Sequence, residues 1–253
     1  MFMRFVQLSI KPDAAEAFER FYEHRVGPTL LAVDGCVFAR LIRGTESDDE
    51  FISFTLWESS DKAFEYENSG QFAALIAENE PFQAESTEWK IQLSANNVLE
   101  YLPVIDDPVV KAMPVVAGSS ESELPDRLSE HTYVRILNAK TDPDQFEKLS
   151  KVYNEEIVVE LSKVPGFRAG YLIGMKEGSE GLSITIWDSE QSARNYEESG
   201  KFAELMSRVT PYLSAMYQWK MTLEPSKQKI THIEDDVSVR GYQVVSGELV
   251  SKS

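Results

Sequence analysis

The sequence predicts an α+β fold in which two copies of one split βαβ unit each lay their helices on one sheet face and pack their antiparallel sheets together. Two observations carry this expectation. Residues 51–72, FISFTLWESSDKAFEYENSGQF, return at 181–202 as GLSITIWDSEQSARNYEESGKF. Landmarks also keep one offset of 130 positions: Trp57 and Trp187, Tyr66 and Tyr196, Gly70 and Gly200, Pro81 and Pro211, Trp89 and Trp219. A period this long is a duplicated domain, because solenoid units run to about 20–50 residues.

In the first copy, residues 4–10 alternate, with Val6, Leu8 and Ile10 to one side and Phe5, Gln7 and Ser9 to the other. That is the period of a half-buried strand. Lys11-Pro12-Asp13 then opens a helix with Phe18, Phe21 and Tyr22 as its buried stripe; it ends before Gly27-Pro28 and resumes over 30–33. Asp34-Gly35 is a turn, and strands 36–42 and 51–57 form a hairpin around the polar loop 44–50. Ser60 caps a helix holding Phe64 and Tyr66, Gly70 breaks it, and Phe72, Leu75 and Ile76 mark a further helical stretch ending near Pro81. Strand 87–93 closes the sheet.

The second copy follows the same order: strand 133–138, helix 143–161, turn Pro165-Gly166, hairpin 168–173 and 182–187, broken helix 189–195 and 202–209, closing strand 218–223. Matching Phe18 to Phe146 and Gly35 to Gly166 places a three-residue insertion in its first helix region, where length changes are cheap. The sheet face away from the helices is read as Gln7, Ser9, Ser53, Thr55 and Gln92 with Phe5 and Trp57. It is too apolar to stay wet, so the other copy covers it across an internal pseudo-twofold axis.

The domains are thus 1–93 and 131–224. The connector, 94–130, holds Pro103, Pro108, Pro114 and Pro125 with several acids, a composition for extended chain. Its apolar runs 98–102 and 109–116 are expected along a domain surface, with 117–130 mobile. In the C-terminal extension, 225–253, residues 237–245 read as an edge strand.

The 253 residues carry 42 acidic and 25 basic side chains, a net charge of -17 that repels nucleic acid and anionic membranes. No segment approaches the roughly 20 apolar residues of a membrane span, and the N-terminus does not read as a signal peptide, so a cytoplasmic protein is expected. Cys36 is alone, which rules out an internal disulfide or a cysteine-rich metal site. His24, His131 and His232 are scattered and form no metal motif. The acids Asp48, Asp49, Asp106 and Asp107 read as solvated turns, and the glycines of 174–181 as a hairpin loop without phosphate-binding character.

The ERFY of 19–22, the TLWESSDKAFEY of 55–66 and the SGQF of 69–72 resemble the antibiotic biosynthesis monooxygenase family of the dimeric α/β-barrel superfamily. The resemblance covers 3–93 and 131–224. It implies two ferredoxin-like repeats whose antiparallel sheets form one intramolecular dimeric α/β barrel. Haem-degrading relatives use an asparagine, a tryptophan and a haem-ligating histidine at positions that correspond to Val6, Tyr66 and Ile76 here, and to Val134, Tyr196 and Met206 in the second copy. Neither copy keeps the asparagine or the histidine.

The resemblance therefore implies a small-molecule-binding protein, with cofactor-independent oxygenation of an aromatic or quinone-like substrate as its activity. No cofactor or metal is called for. A non-catalytic binding or stress-related protein, and a haem binder with a changed axial ligand such as Met206, remain as alternatives. Trp57, Tyr66, Trp187 and Tyr196 supply aromatic pocket walls and polar handles, beside Val6, Ile76, Val134 and Met206. His24 is a candidate proton acceptor at a pocket mouth, and Arg40 a candidate holder of an acidic ligand. The expected partner is a small hydrophobic or aromatic molecule. The fused copies supply each other's sheet, which predicts a monomer and leaves further pairing through the connector or tail open.

Overall fold

The computed structural model describes residues 1–93, 99–105, 108–120, 128, 132–174, 180–218 and 237–245. The first repeat contains β1 (Phe2–Ser9), α1 (Ala15–Phe21), a π-helical turn (Tyr22–Val26), α2 (Gly27–Leu31), β2 (Cys36–Gly44), β3 (Glu50–Trp57), α3 (Ser60–Asn68) and α4 (Gln71–Asn79). It is followed by β4 (Glu85–Leu93), β5 (Leu99–Ile105) and β6 (Val109–Gly118). The second contains β7 (Tyr133–Lys140), α5 (Phe146–Val152), a second π-helical turn (Tyr153–Ile157), α6 (Val158–Leu161), β8 (Phe167–Gly174), β9 (Glu180–Trp187), α7 (Glu190–Glu198), α8 (Lys201–Val209) and finally β10 (Val237–Val244).

Eight strands close into one barrel in the order β1-β3-β2-β10-β7-β9-β8-β6, every neighbouring pair antiparallel. Each ferredoxin-like repeat contributes one four-stranded half. The expected fourth strands are different segments, however. Strand β4 leaves the barrel and pairs with β5 as a separate two-stranded ribbon. The place beside β1 is taken by β6, from the connector. In the second repeat residue 218 is helical and 219–223 lie outside the described residues; the place beside β7 belongs to β10, which pairs over Val237–Gln243. The tail is thus an interior barrel strand, since β10 also pairs with β2 through Tyr242, Gln243 and Val244. Connector residues expected along a surface or mobile instead complete the other seam: Val115, Ala117 and Gly118 pair with β8, Ser119 N–H donates to the Gly170 carbonyl at 2.8 Å, and Leu128 is fully buried in the barrel core.

The strand register also corrects the face assignment. Val6 lies opposite Ser53 and Phe5 opposite Phe54, and partners in an antiparallel pair share a face. Ser53, Thr55 and Trp57 therefore face the helices with Val6, and the barrel interior receives Met3, Phe5, Ile52, Phe54 and Leu56. There Phe5 stacks on Phe54 at 4.6 Å and meets Tyr171, Ile184 and Ile186 of the second repeat within one cluster. Each such side chain taken from water contributes about 1.5–3 kcal/mol.

The helical region holds two further corrections. Pro28 does not end the first helix; the chain continues through it because the π-helical turn moves the Gly27 N–H onto the Tyr22 carbonyl. The second repeat makes the same turn without a proline, with the Val158 N–H on the Tyr153 carbonyl, so proline is not its cause. Tyr22 and Tyr153 are equivalent, as are Phe2 and Tyr133 opposite Trp57 and Trp187, which sets an offset of 131 up to Arg43 and Gly174. Phe18 consequently matches Leu149, there is no helix insertion, and the repeats differ by one residue in the β2–β3 and β8–β9 loops. The cap of α3 is Ser59, one residue before the expected Ser60, and its hydroxyl accepts from the Lys62 N–H. Gly70 and Gly200 separate the paired helices at φ of 81°, a conformation that costs glycine little.

Two outcomes follow. Gly118 sits at φ +137° with a hypothetical Cβ only 2.3 Å from the Gly170 carbonyl oxygen, so Gly118→Ala should lower the melting temperature by several degrees through backbone strain of about 1–3 kcal/mol and loss of the β6–β8 seam. A chain ending at residue 224 loses β10 and exposes two unpaired strand edges. It should aggregate or lose cooperative unfolding in a thermal melt; an unchanged transition would show that the tail is dispensable.

Candidate functional site

Each repeat builds the same constellation between its helices and its sheet. The Tyr22 hydroxyl is 2.8 Å from Ser53 Oγ, and the Tyr153 hydroxyl 3.0 Å from Ser183 Oγ. Trp57 Nε1 donates to Thr55 Oγ1 and Trp187 Nε1 to Thr185 Oγ1, both at 2.9 Å. Tyr66 lies on Trp57 with ring centroids 5.2 Å apart, and Tyr196 on Trp187 at 5.0 Å. Over each tyrosine sits an arginine of the first strand. Arg4 Cζ is 4.2 Å from the centre of the Phe72 ring, and Arg135 Cζ the same distance from Phe202.

Those arginines are only 2% and 4% exposed. Arg135 Nε donates to Glu197 Oε1 at 2.6 Å, while its buried Nη2 has no hydrogen-bond partner. Arg4 keeps a looser 3.9 Å ion pair with Glu67, leaving Nε and Nη2 without hydrogen bonds. Burial lowers the affinity of the Arg4 guanidinium for its proton, an effect Glu67 opposes. Burial raises both tyrosines, Tyr66 and Tyr196, to a pKa of about 12, against the pull of Arg4 and Arg135. Tyr22 and Tyr153 are pushed up by burial as well, partly offset by their serine hydrogen bonds.

The two repeats differ in the space they leave. In the first, Phe18, Leu8, Ile76 and Asn79 reduce the cavity to about 20 Å³, room for about one water and too little for a ring. The second opens to about 60 Å³ beside Arg135, Tyr153, Ser183 and Tyr196. Ala139 replaces Leu8, Leu149 replaces Phe18 and Gly181 replaces Phe51, and these smaller residues all line the larger space. The rim is formed by half-buried Phe202 and Val209 and by Met206, whose unbranched thioether adapts to a changing shape.

Of the residues singled out in the sequence, Val6, Tyr66 and Ile76 surround the first cavity, and Tyr196 and Met206 the second. Trp57 and Trp187 lie behind the tyrosines as fully buried supports and line neither space. Val134 belongs to the barrel interior, because the 131-residue offset of the first strand makes Leu137 the counterpart of Val6. Arg40 also faces the barrel, over Phe38 at 5.5 Å, with Nη1 donating to the Ala39 carbonyl. His24 is exposed on an outer groove with Arg25 and Asp34, away from both cavities. His131 and His232 lie outside the described residues.

Sequence reasoning missed Arg4, Arg135 and the tyrosine–serine pairs. The signal was present: Arg4 precedes Val6 and Leu8 at strand period, and a 131 offset aligns it with Arg135. Haem does not fit these residues. Among the described residues no histidine lines either cavity, and both spaces are far smaller than a porphyrin. Among the described residues there is no group of three side chains suited to a metal, and no helix long and apolar enough to cross a membrane.

Comparison with known proteins agrees with the fold. Residues 1–78 match the family model for antibiotic biosynthesis monooxygenase. A protein from Lactobacillus acidophilus, provisionally described as a monooxygenase, superposes with a TM-score of 0.58 at 8% identity, over 97% of this chain and 94% of that one. An anthrone oxidase-like protein gives 0.58 at 15% identity over 100% and 95%. A provisionally described monooxygenase from Fusobacterium nucleatum gives 0.57 at 10% identity over 97% and 92%. At such identities the likeness is one of fold. No curated protein matches the chain significantly in sequence.

The buried tyrosines make alkaline stability a test of this geometry. Their folded pKa of about 12 exceeds the unfolded value near 10, so the stability they contribute is complete below pH 10 and is lost as pH rises toward 12. Thermal melts should be flat from pH 8 to about 9.5 and fall steeply between about 10 and 12. Phenolate absorbance already developing in the folded protein at pH 10 would contradict the burial.

Proposed function

Because residues 1–78 match the family model for antibiotic biosynthesis monooxygenase, we propose that the protein binds a small phenolic or quinone-like aromatic in the second repeat and oxidises it with O₂. The observation that supports this reading is the larger cavity on the second-repeat side, apolar over most of its wall, with Arg135 Nη2, which makes no hydrogen bond, beside it. A guanidinium in such surroundings stabilises a phenolate far better than water-exposed charge would, and phenolates give electrons to O₂ more readily than phenols. Tyr196, Tyr153 and Ser183 supply neutral donors for a second oxygen. In a quinol oxidation the substrate releases two electrons and two protons, and O₂ leaves as hydrogen peroxide. In an oxygenation one oxygen atom enters a ring carbon, the other leaves as water, and the substrate supplies all four electrons.

A cavity of about 60 Å³ is smaller than the roughly 150 Å³ that holds benzene, so a ring enters only as Met206 and Phe202 move aside. One observation favours a non-catalytic binding protein: the arginine, tryptophan and tyrosine set is the same in the first repeat, where no aromatic ring fits, and so serves folding there. As to assembly, the closed barrel leaves each repeat's sheet covered by the other, which supports a monomer.

Aerobic and anaerobic titration with 1,4-hydroquinone, catechol and a naphthoquinol distinguishes these readings. One site per chain and O₂-dependent quinone formation above the protein-free rate are expected. Arg135→Gln should reduce turnover by about tenfold or more, the loss of a charged hydrogen bond, with binding weakened less. Ala139→Leu, which installs the first repeat's residue, should abolish both. Binding without turnover supports the non-catalytic reading; binding unchanged in Ala139→Leu would contradict this site.

A further inference from the structure

A second cavity, of about 240 Å³, opens at the barrel mouth where β3 and β9 begin. Its position follows from the topology. With all neighbours antiparallel, β1 and β7 stand four strands apart and run the same way, so the pseudo-twofold axis lies along the barrel axis. The lining then falls into related pairs: Gln7 with Asn138, Ile52 with Leu182, and Lys111 with Arg240. Two ion pairs cross between repeats beside it. Lys111 Nζ is 3.1 Å from Glu180 Oε2, and Arg240 Nη1 is 3.0 Å from Glu50 Oε1.

The symmetry breaks in one respect. Glu50 Oε1 also accepts from Gln7 Nε2 at 3.0 Å and from the Tyr242 hydroxyl at 2.8 Å, which fixes that side. On the other side Met113 stands in the place of Tyr242, and Asn138 and Ser238 make no side-chain hydrogen bond among the described residues. Polar capacity is therefore left over. A guanidinium has five N–H donors and an ammonium three, and each cation here spends one on its glutamate.

We propose that this mouth is a binding site for a small organic monocarboxylate with an apolar body, separate from the helix–sheet cavity. The two cations line the space and approach it from opposite sides of the axis, whereas their carboxylate partners lie outside the lining. Asn138 and Ser238 offer its head further hydrogen bonds, and Phe5, Ile52 and Leu182 form an apolar floor for its body. The volume exceeds the roughly 150 Å³ that holds a benzene ring and lies below the usual drug-sized range of about 300–1,000 Å³, which suits one ring or a short chain.

Benzoate and hexanoate, with benzamide as the neutral counterpart of benzoate, provide the test, by calorimetry and by side-chain amide NMR of the intact chain. Benzoate should bind once per chain and shift the amide signals of Gln7 and Asn138, with benzamide at least tenfold weaker. The Lys111→Gln, Arg240→Gln double variant should lose at least tenfold in affinity. Because it also removes two cross-repeat ion pairs, Ser238→Leu, which fills the cavity and keeps both cations, serves as the second variant and should lose binding at an unchanged melting temperature. Arg135→Gln and Ala139→Leu should leave benzoate binding unaltered, so failure of the helix–sheet site is read separately. Equal affinity for benzamide, an undiminished double variant, shifts confined to the surroundings of Arg135, or no saturable binding of either acid at millimolar concentration would overturn the proposal.

Discussion

Everything in this molecule depends on covering one sheet face. The interior side chains Phe5, Phe54, Tyr171 and Ile184 are completed only when the halves meet, and the two strands that join them, β6 and β10, each pair with both repeats. The fourth strand of either half is thus also its bond to the other. This explains why segments outside the repeated sequence are indispensable. It also explains the glycine at 118, where the backbones of β6 and β8 approach too closely for a side chain.

Closure fixes the sheet, and the sheet in turn fixes both constellations of arginine, tryptophan and tyrosine. Identical polar pairs in the two repeats, down to the 2.9 Å tryptophan–threonine bonds, indicate that these groups first satisfy one another and position the helices. What distinguishes the halves is volume. Exchanging Leu8, Phe18 and Phe51 for Ala139, Leu149 and Gly181 keeps the polar pairs and changes the space in front of the arginine. Duplication permits that division, since one half can hold the barrel together while the other accommodates a ligand.

The fold was largely legible because strand alternation and broken-helix landmarks are local signals, repeated twice. The site was less so. A single residue removed from one hairpin loop makes the first strands align at 131 and the later elements at 130, whereas matching Phe18 to Phe146 set the first elements at 128 and put Val134 in the place of Val6. That slip hid a buried arginine in each repeat and put Val134 in a pocket it does not touch. Ser53 and Trp57 were assigned to the wrong face because strand alternation gives the period and only the pairing register gives the side. Strand β6 was unreadable for another reason: its proline and its place in a connector argue for irregular chain, and only the partner strands on both sides make it regular.

The central claim is that ligand capacity resides in the second repeat because three residues there are smaller. The most direct test is the reverse exchange in the first repeat, Leu8→Ala and Phe18→Leu with Phe51→Gly, followed by calorimetric stoichiometry with hydroquinone. If volume alone separates the halves, binding should rise from one ligand per chain to two, the new site again beside a buried arginine. A stoichiometry that stays at one in a stably folded variant would contradict the account and place the difference between the repeats elsewhere.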